Sequence, residues 1–254
     1  MRYLHEPTYK KWGKDELDIR DSLHAMNLFR IKQQLPMVLS VLQQYEGGYL
    51  KTKHVREILA AIENFHFAFT AIASQRSSGG ISFMYALAAR ELHNAGDLSK
   101  KARVLAKFRA EKLAPKRPVY EEFEPSFLEL RYSTKMTKQK PLVRYILTKI
   151  YQSNSVGLPI DPERTTIEHL AAENAKGGKL TDEEIASIGN LILIDKSLNG
   201  KLANKDFAEK VKVLKKANVW VDPVILKAKA WGAKEIAART ELLASESYKK
   251  VWRV

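Results

Sequence analysis

Glu168 and His169 are adjacent, Asn190 follows 21 residues after the histidine, and Asn199 nine residues after that. A carboxylate, an imidazole and two amides in that order suit one reaction well: metal-assisted hydrolysis of a phosphodiester. That reaction needs an activated water, stabilisation of charge on the phosphoryl oxygens, and help for the leaving group. A divalent ion covers the last two. A neutral imidazole covers the first, since a free histidine titrates near ~6.5. Hard cations such as Mg²⁺ take oxygen ligands and keep several waters, so one carboxylate and one amide oxygen suffice. Taken singly, each residue has an ordinary reading. The Glu-His pair is a common dipeptide, Asn190 after Gly189 suits a turn, and Asn199-Gly200 is a turn signal in its own right. The order of the four carries the argument.

Something must position them. Thr165 to Leu170 has the β-branched character of a short strand. Asn190 to Asp195, NLILID, is a second strand. Glycines 177 and 178 mark a loop between them. Thr181 with Glu184 three residues on has the form of a capping box that starts a helix. A further helix runs through Asn204–Leu214, with Phe207, Val211 and Leu214 inward and Asn199 at its head. On a regular strand Glu168 and His169 would face opposite sides, so a shared site predicts a twist or bulge there.

The rest of the chain reads as helix. Residues 15–46 carry apolar residues at helical spacing, and Pro36 starts a second helix that Gly47-Gly48 ends. Thr52 to Ser74 is a third helix whose inner row includes Val55, Ile58, Leu59, Ile62, Phe65, Phe67 and Phe69, read as core. Helices follow over 81–94 and 97–113, from near Pro125, and over 141–152. The turn-rich Ser153–Asp161 is the expected boundary, with an α-helical domain before it (1–155) and the proposed chemistry after it (156–254). His5, His24, His54, His66 and His93 all lie in the helical part, at spacings that make no metal pair.

Composition narrows the partner. There are 43 Lys+Arg against 29 Asp+Glu, a net charge of +14. From Lys201 to the end the count is 13 against 6, so half the excess follows the proposed site directly. That balance favours a polyanionic partner. The chain has no cysteine, which excludes disulfides, thiolate nucleophiles and Cys-ligated zinc and fits a reducing cytoplasm. No apolar run approaches the ~20 residues of a membrane span, and MRYLHEPTYKKWGKDE has no signal-peptide core.

The pieces IEHL, IGNLILIDKSLN and KLANKDFAEK, with WGAKEIAARTELLASESYKKVW beyond them, resemble the HNH-type nuclease domain at the C-terminus of GmrSD-like modification-dependent (type IV) restriction enzymes. Phosphorothioation-dependent defence nucleases carry similar domains, and the step from Asn190 to Asn199 is similar to that of RNA-guided CRISPR nucleases. The resemblance implies a mostly α protein, a helical bundle followed by a ββα-metal (HNH) unit. It would cut or nick DNA with Mg²⁺ or Mn²⁺ in bacterial anti-phage defence. It implies His169 as general base, Asn190 as the middle residue of the motif, Glu168 and Asn199 as metal ligands, and Lys201, Lys205 and Lys210 as phosphate contacts. Two positions depart from the family pattern: Ala172 stands where a proline is usual, and Glu168 where an aspartate is usual. Such enzymes carry a nucleotide-hydrolysing or modification-sensing domain with a DGQQR-like motif. None occurs in this sequence, which predicts either a longer native protein or a separate sensor subunit. The alternative function is a catalytically weak DNA-binding or partner-docking helical module.

Overall fold

A computed structural model of the 254-residue chain describes residues 2–75, 79–155, 164–173, 179–202, 205–217 and 219–254. The expected loop at Gly177-Gly178, most of the expected boundary at Ser153–Asp161, and Asn204 lie outside the described residues. The protein is mostly helical and divides into two compact units, one of residues Met1–Phe123 with Trp252–Val254 and one of Glu124–Val251.

The first unit is built on α1 (Leu17–Leu28), α2 (Leu35–Glu46), α3 (Thr52–His66), α4 (Gly79–Asn94) and α5 (Leu98–Lys107). The helical run expected from residue 15 is broken after Leu28, where Arg30 takes a left-handed conformation with φ 57°. Pro36 then sits in the first turn of α2, where its missing N–H costs nothing. Gly48, at φ 75°, follows the end of that helix. Asp97 caps α5 by accepting from the Lys100 amide. The apolar row of α3 is buried along its length: Val55, Leu59, Ile62 and Phe65 are inaccessible to solvent. The helix continues into a π-helical stretch, Phe67–Ile72, and Phe67 stacks on Trp252 at 3.9 Å between ring centroids.

His66 is sealed in this core, with Nδ1 2.9 Å from the Thr70 hydroxyl and Nε2 2.9 Å from the Tyr85 hydroxyl. Burial pushes its pKa down to about 3. The unfolded chain therefore binds this proton below pH ~6.5 while the folded chain refuses it until about pH 3. Stability present above the unfolded value is lost as pH falls through that window, at up to ~1.4 kcal/mol per pH unit. Urea unfolding of the whole chain between pH 7 and 4 should show this slope, and His66→Gln should flatten it. Parallel slopes in the two proteins would refute the assignment.

The second unit contains the end of α6 (Tyr120–Leu128), α7 (Lys140–Asn154), β1 (Thr165–His169), α8 (Asp182–Ala186), β2 (Leu191–Asp195), α9 (Lys196–Leu202), α10 (Phe207–Lys216), α11 (Pro223–Lys227) and α12 (Ala233–Glu246). Among the described residues β1 and β2 are the sheet, paired antiparallel from Thr165↔Asp195 to His169↔Leu191. Thr181 and Glu184 form the capping box that starts α8. Ile192 and Ile194 of β2 pack with Leu198 and Leu202 of α9, Val211 and Leu214 of α10, and Ile225 of α11. This cluster overrides the local turn preference of Asn199-Gly200. Leu198 and Leu202, four residues apart, both reach the core only if the segment is helical, and nothing lies within 4 Å of where a Gly200 Cβ would sit. Among the described residues no helix is long and apolar enough to cross a membrane.

Candidate functional site

β1 and β2 set the address of every side chain that follows. The register is regular over all five pairs, with no bulge at Glu168 or His169. The strand alternation therefore operates, and the expected twist or bulge is not what joins the two residues. Glu168 pairs with Ile192 and shares its face of the sheet, the face covered by α9 and α10. His169 pairs with Leu191 and belongs to the other face.

On the first face, Glu168 Oε1 meets the Lys210 ammonium at 2.7 Å. The same Nζ donates to the His169 backbone carbonyl at 2.5 Å. Lys210 is 1 % exposed, so its ammonium serves the end of β1 and does not reach out to a phosphate. This corrects the expectation that it is a surface contact, and the reason is position. Lys210 lies in the first turn of α10 beside Val211, whose side chain is in the core. Lys201 and Lys205 are exposed.

On the second face, His169 Nε2 lies 2.9 Å from the Tyr132 carbonyl oxygen and 3.3 Å from Glu173 Oε1. A carbonyl can only accept, so Nε2 carries the hydrogen and, in the neutral ring, Nδ1 keeps its lone pair. Glu173 is anchored in turn: its carboxylate accepts from the Thr134 amide at 3.1 Å and from the Thr134 hydroxyl. The 131–134 segment is itself fixed to the unit by the Tyr132 amide donating to Ala186 O and by the Arg131↔Ser187 bridge.

Asn190 is wholly buried, and among the described residues its side chain makes four hydrogen bonds. Nδ2 donates to Ala171 O at 3.0 Å and Ile185 O at 2.8 Å. Oδ1 accepts from the Ala171 amide at 2.8 Å and from Trp231 Nε1 at 3.0 Å. Its amide thus clasps the chain just after His169 to the start of β2. Gly189 beside it has no room for a side chain, because a Cβ would collide with the Ile236 carbonyl and the Thr240 hydroxyl of α12. Arg239 of α12 holds the same segment from behind, donating to the carbonyls of Gly189 at 2.7 Å and Leu191 at 2.9 Å.

Asn199 lies inside α9, not at the head of a following helix. Its Oδ1 is buried and has no hydrogen-bond partner among the described residues. A buried amide oxygen left bare costs ~1–3 kcal/mol, and a cation would relieve it. This amide oxygen and the Glu168 carboxylate are each hard oxygen donors, the type that Mg²⁺ or Mn²⁺ takes. Among the described residues there is no group of three or more His, Asp or Glu side chains able to hold a metal ion, so waters and phosphate oxygens would have to complete any shell.

Sequence reading missed two residues that touch His169. Glu173 carries a signal, as an acid four residues after the histidine. Tyr132 carries none, because it lies 37 residues away and meets the histidine through its backbone carbonyl as well as its ring, 5.9 Å between centroids.

The sequence model of one protein family, described as GmrSD restriction endonucleases, C-terminal domain, matches residues 117–246, just over half of the chain. No curated protein matches the sequence.

Proposed function

The chain belongs to the family of GmrSD restriction endonuclease C-terminal domains, and from that premise we propose that its second unit carries an HNH-type site hydrolysing DNA phosphodiester bonds. The observation that carries this reading is the hydrogen bond from His169 Nε2 to the Tyr132 carbonyl. It leaves Nδ1 as the basic nitrogen, held in one tautomer by a group that cannot titrate. His169 Nδ1 takes the proton of the attacking water. Glu173, 3.3 Å from Nε2, faces the ring as it becomes positive and favours the transfer. Glu168 and the bare Asn199 oxygen would hold Mg²⁺ or Mn²⁺. When bound, that ion supplies Lewis-acid stabilisation of the phosphoryl oxygens and the leaving group. Asn190 keeps the loop after His169 in register with β2. Lys201 and Lys205, both exposed, meet flanking phosphates.

On this reading the second unit, residues 124–251, does the chemistry and contains the ββα-metal site, and the helical first unit serves DNA or partner contact. The setting is a restriction or anti-phage role in the cytoplasm, with a nucleotide-hydrolysing or modification-sensing domain or subunit choosing the target.

Supercoiled plasmid tests it. Nicking should require Mg²⁺ or Mn²⁺, stop in EDTA, and fall at least ~100-fold in Asn199→Ala, the scale of losing a group that stabilises the transition state. Cleavage that persists in EDTA rejects the metal reading. DNA retained without cleavage under any ion favours the binding module.

A further inference from the structure

The ammonium on Glu168 has a consequence for how the site is loaded. We infer that Lys210 is an internal counter-cation that competes with the divalent ion for Glu168, so that the ion and the DNA phosphate bind together and neither binds well alone. This rests on the reading of Glu168 and Asn199 as ligands and goes beyond it.

Lys210 is not a spectator held by chance. It is 1 % exposed, and its Nζ spans the carboxylate of Glu168 at 2.7 Å and the carbonyl of His169 at 2.5 Å. A buried ammonium keeps its charge only beside a fixed negative group, and Glu168 is that group. The same carboxylate is the one anionic member of the proposed ligand set, since Asn199 is neutral. The carboxylate and the ammonium cancel, leaving a donor set with hard oxygens but no net charge. An incoming dication must share Glu168 with a cation 2.7 Å from it, in surroundings that screen little. A phosphate diester restores the missing negative charge. By linkage, DNA then tightens the ion and the ion tightens DNA by the same factor. Lys210 thus acts as a positioning residue, keeping Glu168 and the end of β1 in place while setting the affinity for a metal low in the absence of DNA.

Mn²⁺ binding measured by calorimetry on the full chain tests this without relying on turnover. Lys210→Met, which keeps the length and removes the charge, should bind Mn²⁺ at least ~10-fold more tightly than the wild type in the absence of DNA, within the usual range of coupling between sites. Lys210→Arg should stay weak. Because Lys210→Met leaves Glu168 unpaired and could fail to fold, the second arm keeps the lysine. In His169→Ala, which suppresses cleavage, a short DNA duplex should tighten Mn²⁺ by at least ~10-fold. A folded Lys210→Met with unchanged or weaker Mn²⁺ affinity overturns the inference, as does a duplex that leaves Mn²⁺ affinity unaltered. Glu168→Gln separates the two levels. If it abolishes Mn²⁺ binding while Lys210→Met fails to tighten it, only the role of Lys210 falls. Mn²⁺ binding that survives Glu168→Gln, or is undetectable in every protein with DNA present, removes the ligand assignment and this inference with it.

Discussion

His169→Ala should lower metal-dependent nicking by about 10²–10⁴-fold, the usual contribution of a positioned general base. The size follows from what the ring is given to do. Its Nε2–H is committed to the Tyr132 carbonyl, so Nδ1 is the nitrogen left to accept a proton. Removing the ring takes away the base without taking away the donors assigned to the metal on the opposite face of β1. DNA binding and Mn²⁺ binding should therefore stay within a few-fold of wild type. The structural cost is that of one hydrogen bond and a small packing loss, ~1–3 kcal/mol, so the folded fraction near room temperature should hardly change. The measurement is initial nicking rate per folded molecule, with far-ultraviolet circular dichroism as the check on folding. A loss of less than ~10-fold would mean that another group activates the water. The reading of the His169–Tyr132 contact as tautomer control would then have to be abandoned.

Much of this arrangement is written in residue order, and the reasons for the exceptions are physical. Helices were legible where apolar spacing is long and uninterrupted, as in α3, whose Val55, Leu59, Ile62 and Phe65 are all inaccessible. The two strands were legible from β-branched Thr165-Thr166-Ile167 and the run LILI, and the capping box at Thr181 from its own four residues. The sequence puts Asn199 ahead of the helix expected through Asn204–Leu214, in an Asn-Gly pair that favours a turn. The core contacts of Leu198 and Leu202 made the segment helical instead. Lys210 was read as a surface cation because a lysine in a basic stretch ordinarily is one. Its burial depends on Glu168, 42 residues away, a pairing that no local pattern carries. Tyr132 O is a backbone atom and is silent in any sequence. Strand geometry puts Glu168 and His169 on opposite faces, and the twist or bulge that a shared face would need does not occur. The regular register shows the strand keeping its alternation, and Lys210 touching both residues, one through its side chain and one through its carbonyl.

Arg239→Ala should destabilise the second unit by ~3–5 kcal/mol, the range for removing one partner of a buried ion pair. Arg239 is 2 % exposed, and its Nε lies 3.1 Å from Asp222 Oδ2. Burial pulls the guanidinium pKa down, Asp222 opposes the shift, and the group stays charged throughout the accessible pH range. Three acceptors lose their donor together: the Asp222 carboxylate and the carbonyls of Gly189 and Leu191. Asp222, itself 6 % exposed, would be left as an unpaired buried charge. Urea unfolding followed by tryptophan fluorescence should report the loss, and a drop below ~1 kcal/mol would mean that water replaces the guanidinium easily. The double change Arg239→Met with Asp222→Asn should recover more than half of it. It removes both charges and keeps an oxygen to cap α11, where Asp222 Oδ1 accepts from the Val224 amide. The two carbonyls would still lack a donor, and they bracket Asn190. The double variant should thus regain stability before it regains activity. A gap between the two would trace to slack in the segment that Asn190 ties to the loop after His169.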